Sequence, residues 1–224
     1  MSRFRLMRNA IVFDDGGMNL LSSEALCELR DLLPTGEPGN RETGQPLTFR
    51  SARPGLFAAG ADMAEMQRFS PRDAHEFAAL AQELFDAIER LPCLTVALID
   101  GDCFGGALDL VLAFDFRFAT PRARFAHPGA RLGIVTGFGG TSRWQKVLTR
   151  RAAHQLFLAN RGLSADEALA MGLVDRVAES HEEALASLEN VDARLVKELT
   201  IHADRLSRAE MLLVARRLAG IYSS

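Results

Sequence analysis

An aspartate three residues after a glycine pair is the spacing in this chain that could do chemistry. It lies in Asp100-Gly-Asp-Cys-Phe-Gly-Gly-Ala-Leu-Asp109. The apolar run Leu94–Ile99 before it reads as a strand. A turn is expected next, and Gly105-Gly106 then open a helix that continues through Leu110, Val111 and Leu112. The first N–H groups of a helix have no partner within it, and the helix dipole adds partial positive charge there. An anion placed against Gly106 is therefore favoured. Asp109 shares the helix face of the Gly106 amide. A carboxylate beside an amide that holds developing negative charge can move a proton next to a carbonyl, the requirement of proton abstraction α to a thioester or of water addition to its enoyl form. A plain helix start after Gly-Gly is the competing reading, because a glycine pair is a weak motif.

A second segment, Leu56-Phe-Ala-Ala-Gly-Ala-Asp-Met63, follows the apolar run Leu47–Ser51 and the turn Arg53-Pro54-Gly55. Its small residues suit a place where backbone is approached closely. Asp62 reads equally as the N-cap of a short helix. The three cysteines, Cys27, Cys93 and Cys103, have neither CxxC nor metal-ligand spacing. They read as small core residues kept reduced in the cytoplasm. His75, His154, His181 and His202 fall on expected helices or their ends and read as surface residues.

The elements that must position these groups are legible in outline. Strands are expected at Ala10–Phe13, Leu47–Ser51, Leu94–Ile99 and Phe114–Thr120. A helix over Asp73–Arg90 carries one apolar stripe of Phe77, Leu80, Ala81, Leu84, Phe85 and Ile88, with Ser70-Pro71 as start and Leu91-Pro92 as stop. An earlier helix covers Ser23–Leu33, and 34–46 reads as a surface loop. Ser164-Ala-Asp-Glu167 is a capping box for a helix over Ala165–Met171 that closes at Gly172. Ser207-Arg-Ala-Glu210 is a second one, for a last helix reaching Leu218. Alternating strands and helices followed by a helical end indicate an α/β core, residues 1–178, with a C-terminal helical region, 179–224.

Composition narrows the function class. With 224 residues and 48% hydrophobic content the chain can bury a sizeable core. A formal net charge of −3 argues against sequence-independent binding of nucleic acid. Arg3, Arg5 and Arg8 are followed by Asp14, Asp15, Gly16 and Gly17 rather than by an apolar stretch, so neither a secretory signal nor a membrane span is expected.

Several segments together resemble the enoyl-CoA hydratase/isomerase (crotonase) family. Phe57-Ala-Ala-Gly-Ala-Asp62 is similar to its F-x-A-G-A-D segment, and Thr95–Asp109 to A-x-x-G-x-x-x-G-G-G-x-E. Ala123-Arg-Phe-Ala-His-Pro128 and Leu132–Thr141 are similar to A-x-F-x-x-P-E-x-x-L-G and P-x-x-G-G-T. Leu163–Val177 is similar to S-A-x-E-A…G-L-V. The motifs occur in the family's order over roughly residues 10–178.

The resemblance implies a spiral of ββα units, assembled as a homotrimer or hexamer, acting on an acyl-CoA thioester in fatty acid metabolism. Coenzyme A would enter as part of the substrate, with no metal or redox cofactor. The Ala61 and Gly106 amides would form an oxyanion hole. Backbone at Ala59, Gly60, Ala61, Asp62 and Met63 would grip the adenine end of coenzyme A, and Arg50–Arg53 would lie near its pantetheine and phosphates. Gly105, Gly129 and Gly137 would line the same site. Asp115 resembles a structural aspartate of the family. The first strand of the family is expected to be missing or vestigial, and the helices after Val177 curtailed.

Two departures bear on the reaction. Family hydratases use two glutamates; here Asp109 stands at the first position, one methylene shorter, and Gly129 at the second. Two-carboxylate hydration is not available at these positions. His127 could supply the missing acid–base group, since imidazole titrates near neutrality and an extended segment would put it on the face of residue 129. A histidine at a strand edge bonding backbone is the other reading. Three functions stay open: an enolate-forming acyl-CoA enzyme using Asp109; a non-catalytic acyl-CoA-binding or assembly subunit; and decarboxylation, thioester hydrolysis or C–C bond chemistry in the same hole.

Overall fold

Three times the chain runs through one sheet and at once enters another, and this repetition builds the molecule. The computed structural model describes residues 2–34, 45–158, 161–189, 191, 196 and 197. Most of the loop expected over 34–46, and the helix expected from Ser207, lie outside them. The strands are β1 (Phe4–Met7), β2 (Ala10–Phe13), β3 (Leu20–Leu21), β4 (Leu47–Ser51), β5 (Gly55–Ala58), β6 (Gly60–Ala61), β7 (Thr95–Ile99), β8 (Gly101–Phe104), β9 (Phe116–Ala119), β10 (Arg124–Ala126), β11 (Leu163–Ser164) and β12 (Arg176–Val177). The helices are α1 (Ser23–Leu32), α2 (Met63–Met66), α3 (Pro71–Glu89), α4 (Gly106–Val111), α5 (Gly140–Val147), α6 (Arg150–Ala153), α7 (Ala165–Met171) and α8 (His181–Ala186).

The main sheet has the order β1-β2-β4-β7-β9-β12, and a second sheet the order β11-β10-β8-β5. The pairs β4–β5, β7–β8 and β9–β10 each place one strand in either sheet. This is the spiral of paired strands and helices that the resemblance implied. Parallel pairing runs across β2, β4, β7, β9 and β12. Every residue of the central strand β7 is buried, as its unbroken apolar run requires of a parallel strand covered on both faces. Phe49 on β4 joins the layers, its ring centroid 5.6 Å from that of Phe57 on β5 and 5.7 Å from that of Phe114.

Local sequence accounts for the helices. Ser70 and Asp73 form a reciprocal capping box at the start of α3, which buries Phe77, Ala81, Leu84, Phe85 and Ile88. Gly172 ends α7 in the left-handed conformation, φ 82°. On the outer face of the main sheet, Ala184 of α8 packs with Val96, Leu98 and Phe118. Asp115 has the structural part expected of it. Its Oδ2 accepts bonds from the Thr95 N–H and hydroxyl, both at 2.8 Å, and the buried Lys197 Nζ donates to it at 2.8 Å.

Two expectations are corrected. The first strand is not missing: β1 pairs antiparallel with β2, Phe4 opposite Phe13, because a two-residue connection at Arg8-Asn9 returns the chain tightly. Nor does a simple turn separate Ile99 from Gly105. Strand β8 fills that interval and pairs in parallel with both β5 and β10. Its first residue has to be glycine: Gly101 has φ +138°, and a Cβ there would overlap the backbone of Gly55.

Candidate active site

Two backbone segments meet where β6 passes the start of α4. After β5 the chain steps aside at Ala59, whose N–H donates to Met18 O at 3.0 Å, and β6 pairs in parallel with β3. Asp62 N–H donates to Leu21 O at 3.2 Å. Successive N–H groups of an extended strand point to opposite edges, so the Ala61 N–H turns away from β3. Opposite it, Gly105 N–H donates to Ala126 O at 2.9 Å, leaving Gly106 as the first helical residue of α4. The Gly106 N–H has no partner within α4.

The distances between these segments are short. A Cβ on Gly106 would lie 3.3 Å from Ala61 N, and a Cβ on Gly60 would lie 3.1 Å from Gly106 N and 2.6 Å from Phe104 O. Gly60, with φ +106°, is thus demanded twice, by conformation and by space. The ring of Phe138 closes one side, its Cε2 2.7 Å from where a Gly106 Cβ would be. Phe138 is held there edge-on by Phe77 and Phe85 of α3, with centroids at 5.1 Å and 5.9 Å.

One turn along α4, the Asp109 carboxylate is 1% exposed. Its Oδ2 accepts a short hydrogen bond from the Thr136 hydroxyl, while Oδ1 is buried with no hydrogen-bond partner. Gly140 closes over the carboxylate, for a Cβ there would overlap it. His127 comes from the end of β10 and is also buried; its Nε2 lies 3.6 Å from Asp109 Oδ2. That is beyond hydrogen-bond length, and Nε2 has no other partner. The imidazole leans on Phe157, with ring centroids 4.7 Å apart. Cys103, buried beneath, has its thiol pushed well above the ordinary range, first by burial and then by the Asp109 and Asp102 charges. It therefore stays a neutral core residue.

The extended segment expected after His127 is a 3-10 helix, Pro128–Leu132. Proline at its first position and the Ile134 N–H bond to Gly129 O, 2.9 Å, tighten the chain there. His127 nevertheless meets position 129. A Cβ on Gly129 would lie 2.8 Å from Ile134 O and 3.1 Å from His127 Cε1. The imidazole thus stands where a side chain at 129 would begin. Its Nε2 makes no hydrogen bond to backbone.

The remaining site residues are more scattered. Asp62 caps α2 by accepting from Glu65 N at 3.0 Å, and Met63 beside it is 40% exposed. Gly137 O accepts from Gln82 Nε2 at 2.6 Å, which ties its loop to α3. Arg53 is exposed and precedes β5, so the whole of that strand lies between it and Ala59. His181 is not the surface residue expected: it is half-buried, and burial lowers its pKa below 6.5. Thr136 and Gly140 were missed as site residues. Both lie in the segment Leu132–Thr141 that resembles P-x-x-G-G-T, but nothing in the sequence puts them against Asp109. Among the described residues no group of three His, Cys, Asp or Glu side chains could hold a metal ion, and no helix is long and apolar enough to cross a membrane.

The family described as Enoyl-CoA hydratase/isomerase matches residues 10–218. A crotonyl-CoA hydratase of Syntrophomonas wolfei is 34% identical over 86% of this chain and 72% of its own length. A short-chain-enoyl-CoA hydratase of Clostridium acetobutylicum is 33% identical over 74% of this chain and 62% of its own. Among solved structures, an enoyl-CoA hydratase of Bacillus anthracis superposes with a TM-score of 0.82 at 27% identity, covering 96% of this chain and 87% of that one. One of Thermoplasma volcanium gives a TM-score of 0.84 at 23% identity, over 99% and 92%, a likeness of fold.

Proposed function

Because the chain belongs to the enoyl-CoA hydratase/isomerase family, we propose that it binds an acyl-CoA thioester with the carbonyl oxygen between the Ala61 and Gly106 N–H groups and moves a proton at Cα with Asp109. The observation that carries this reading is the convergence of those two segments, so close that a Cβ on Gly106 would lie 3.3 Å from Ala61 N, next to a buried carboxylate with an unpartnered oxygen. When Asp109 takes a proton from Cα, the released electron pair moves onto the thioester oxygen, where the two N–H groups hold it. Return of the proton at the γ carbon gives double-bond isomerisation. Adding a water hydroxyl at the β carbon and a proton at Cα gives hydration, with His127 taking the proton that water loses. His127 supports this second route because its Nε2 lies beside Asp109 and its ring stands at position 129.

The same reading includes coenzyme A held along Ala59–Met63 and near Arg53, a homotrimeric or hexameric assembly, and a cytoplasmic setting for an enzyme with three free cysteines. It asks for N–H donors and proton carriers, and for no cofactor besides the coenzyme A of the substrate. Asp109→Asn tests it. Turnover of crotonyl-CoA should fall ~10²–10⁴-fold, while calorimetric binding of the same thioester persists; unchanged turnover would sink the assignment. A non-catalytic acyl-CoA-binding subunit is the second reading, favoured by the near-complete burial of Asp109 and the lack of a side chain at 129. Conversion of any enoyl-CoA by the purified protein eliminates it.

A further inference from the structure

We infer that Thr136 is the positioning residue of Asp109, compensating for a side chain one methylene shorter than glutamate; the inference rests on the proton-transfer reading above. A buried carboxylate needs a donor to fix its orientation, since a charge left without hydrogen bonds in a dry site is costly. Among the described residues the Thr136 hydroxyl is the hydrogen-bond donor that reaches it. The other groups facing the carboxylate do not fill that part. His127 Nε2 lies at 3.6 Å, too far for a hydrogen bond, and Oδ1 accepts none. Thr136 occupies Oδ2 and leaves Oδ1, beneath Gly140, without a hydrogen-bond partner.

The loop that carries Thr136 is itself tied on both sides. Gln82 of α3 donates to Gly137 O at 2.6 Å, and Arg143 of α5 donates to Phe138 O at 3.2 Å. Arg143 is held in turn by Glu89 of α3 at 3.2 Å and by Asp86. The hydroxyl is therefore placed by helices rather than by a free loop, which is what a positioning group needs.

The test is exchange of the Cα protons of butyryl-CoA with deuterated water, followed by NMR, beside calorimetric binding of the same thioester. Thr136→Val should slow exchange about 10- to 100-fold at saturating butyryl-CoA, the scale of a small misplacement of a reacting group, with the dissociation constant nearly unchanged. Thr136→Ser, which keeps the hydroxyl, should restore most of the rate. A Thr136→Val protein that exchanges as fast as wild type overturns the inference. So does a Thr136→Ser protein as slow as the valine variant, or a valine variant that loses binding in the same proportion as rate. If wild type binds butyryl-CoA but exchanges nothing, the proton-transfer reading falls, and this inference with it.

Discussion

At residue scale, Gly129 sets what this site can and cannot be. A glutamate there would have to displace either the Ile134 carbonyl, 2.8 Å from its Cβ, or the His127 ring at 3.1 Å. Gly129→Glu is therefore not expected to recreate a two-carboxylate site. It should lower stability by about 1–3 kcal/mol, as overpacking does, and should not raise the hydration rate of crotonyl-CoA. A stable variant with faster hydration would show that the imidazole is not in the way. His127→Ala separates the two routes proposed for the enzyme. Hydration should drop ~10²-fold or more on losing a proton acceptor, whereas exchange at Cα, assigned to Asp109, should suffer less. An equal loss in both would place His127 in a shared step. The Asp109–Gly106 relation was readable beforehand because helical spacing is local. The meeting of His127 with Asp109 was not, since it joins β10 to α4 through tertiary packing.

At the scale of elements, the ends of the strands hold the site together. Gly101 begins β8 with φ +138° and no room for a Cβ beside Gly55. Gly101→Ala should cost at least ~1–3 kcal/mol, the scale of a strained backbone position. It should also weaken acyl-CoA binding, because β5 and β8 lead into Ala61 and Gly106. A denaturant midpoint equal to wild type would contradict this. Asp115 is the second such point. It joins β7 to the start of β9 through Thr95 and pairs with Lys197, which is 2% exposed. Asp115→Ala removes an ion-pair partner of the buried Lys197 ammonium together with the acceptor of the Thr95 bonds, and losses of about 3–5 kcal/mol follow from such breaks. Chemical denaturation measures it directly. The corrections to β1 and β8 belong to this scale as well. Phe-Arg-Leu-Met of β1 and Gly-Asp-Cys-Phe of β8 lack the unbroken apolar run that marks β2, and these strands are stabilised by their neighbours in the sheet rather than by their own sequence.

Across the whole molecule, Asp100 and His181 are among the groups that tie stability to pH. For Asp100, burial works to raise the pKa, but bonds from Thr120 and Arg122 outweigh it and hold the carboxyl below 3.8. Its contribution is present at neutral pH and is lost as pH falls through the acid range. His181 has its pKa lowered below 6.5, first by burial. The unfolded chain takes up that proton before the folded one does, so stability also declines as pH falls below about 6.5. Both act in the same direction. Melting temperature should drop between about pH 7.5 and 5, and His181→Asn should flatten the upper part of that fall. A flat profile in wild type would refute the assignment.

The sequence by itself determined the α/β class, the capped helices α3 and α7, the buried strands β2, β4 and β7, and the carboxylate one helical turn from Gly106. These follow from caps, apolar periodicity and glycines, whose energies are local and can be read from neighbours in the chain. The pairing of Ala61 with Gly106 was implied by the family resemblance; only the tertiary structure shows that it brings β6 to α4, that Thr136 bonds Asp109, and that an imidazole takes the place beside Gly129. Those contacts join β6, α4, β10 and the loop before α5, and their geometry is set by how sheets and helices pack. No spacing within one segment encodes it.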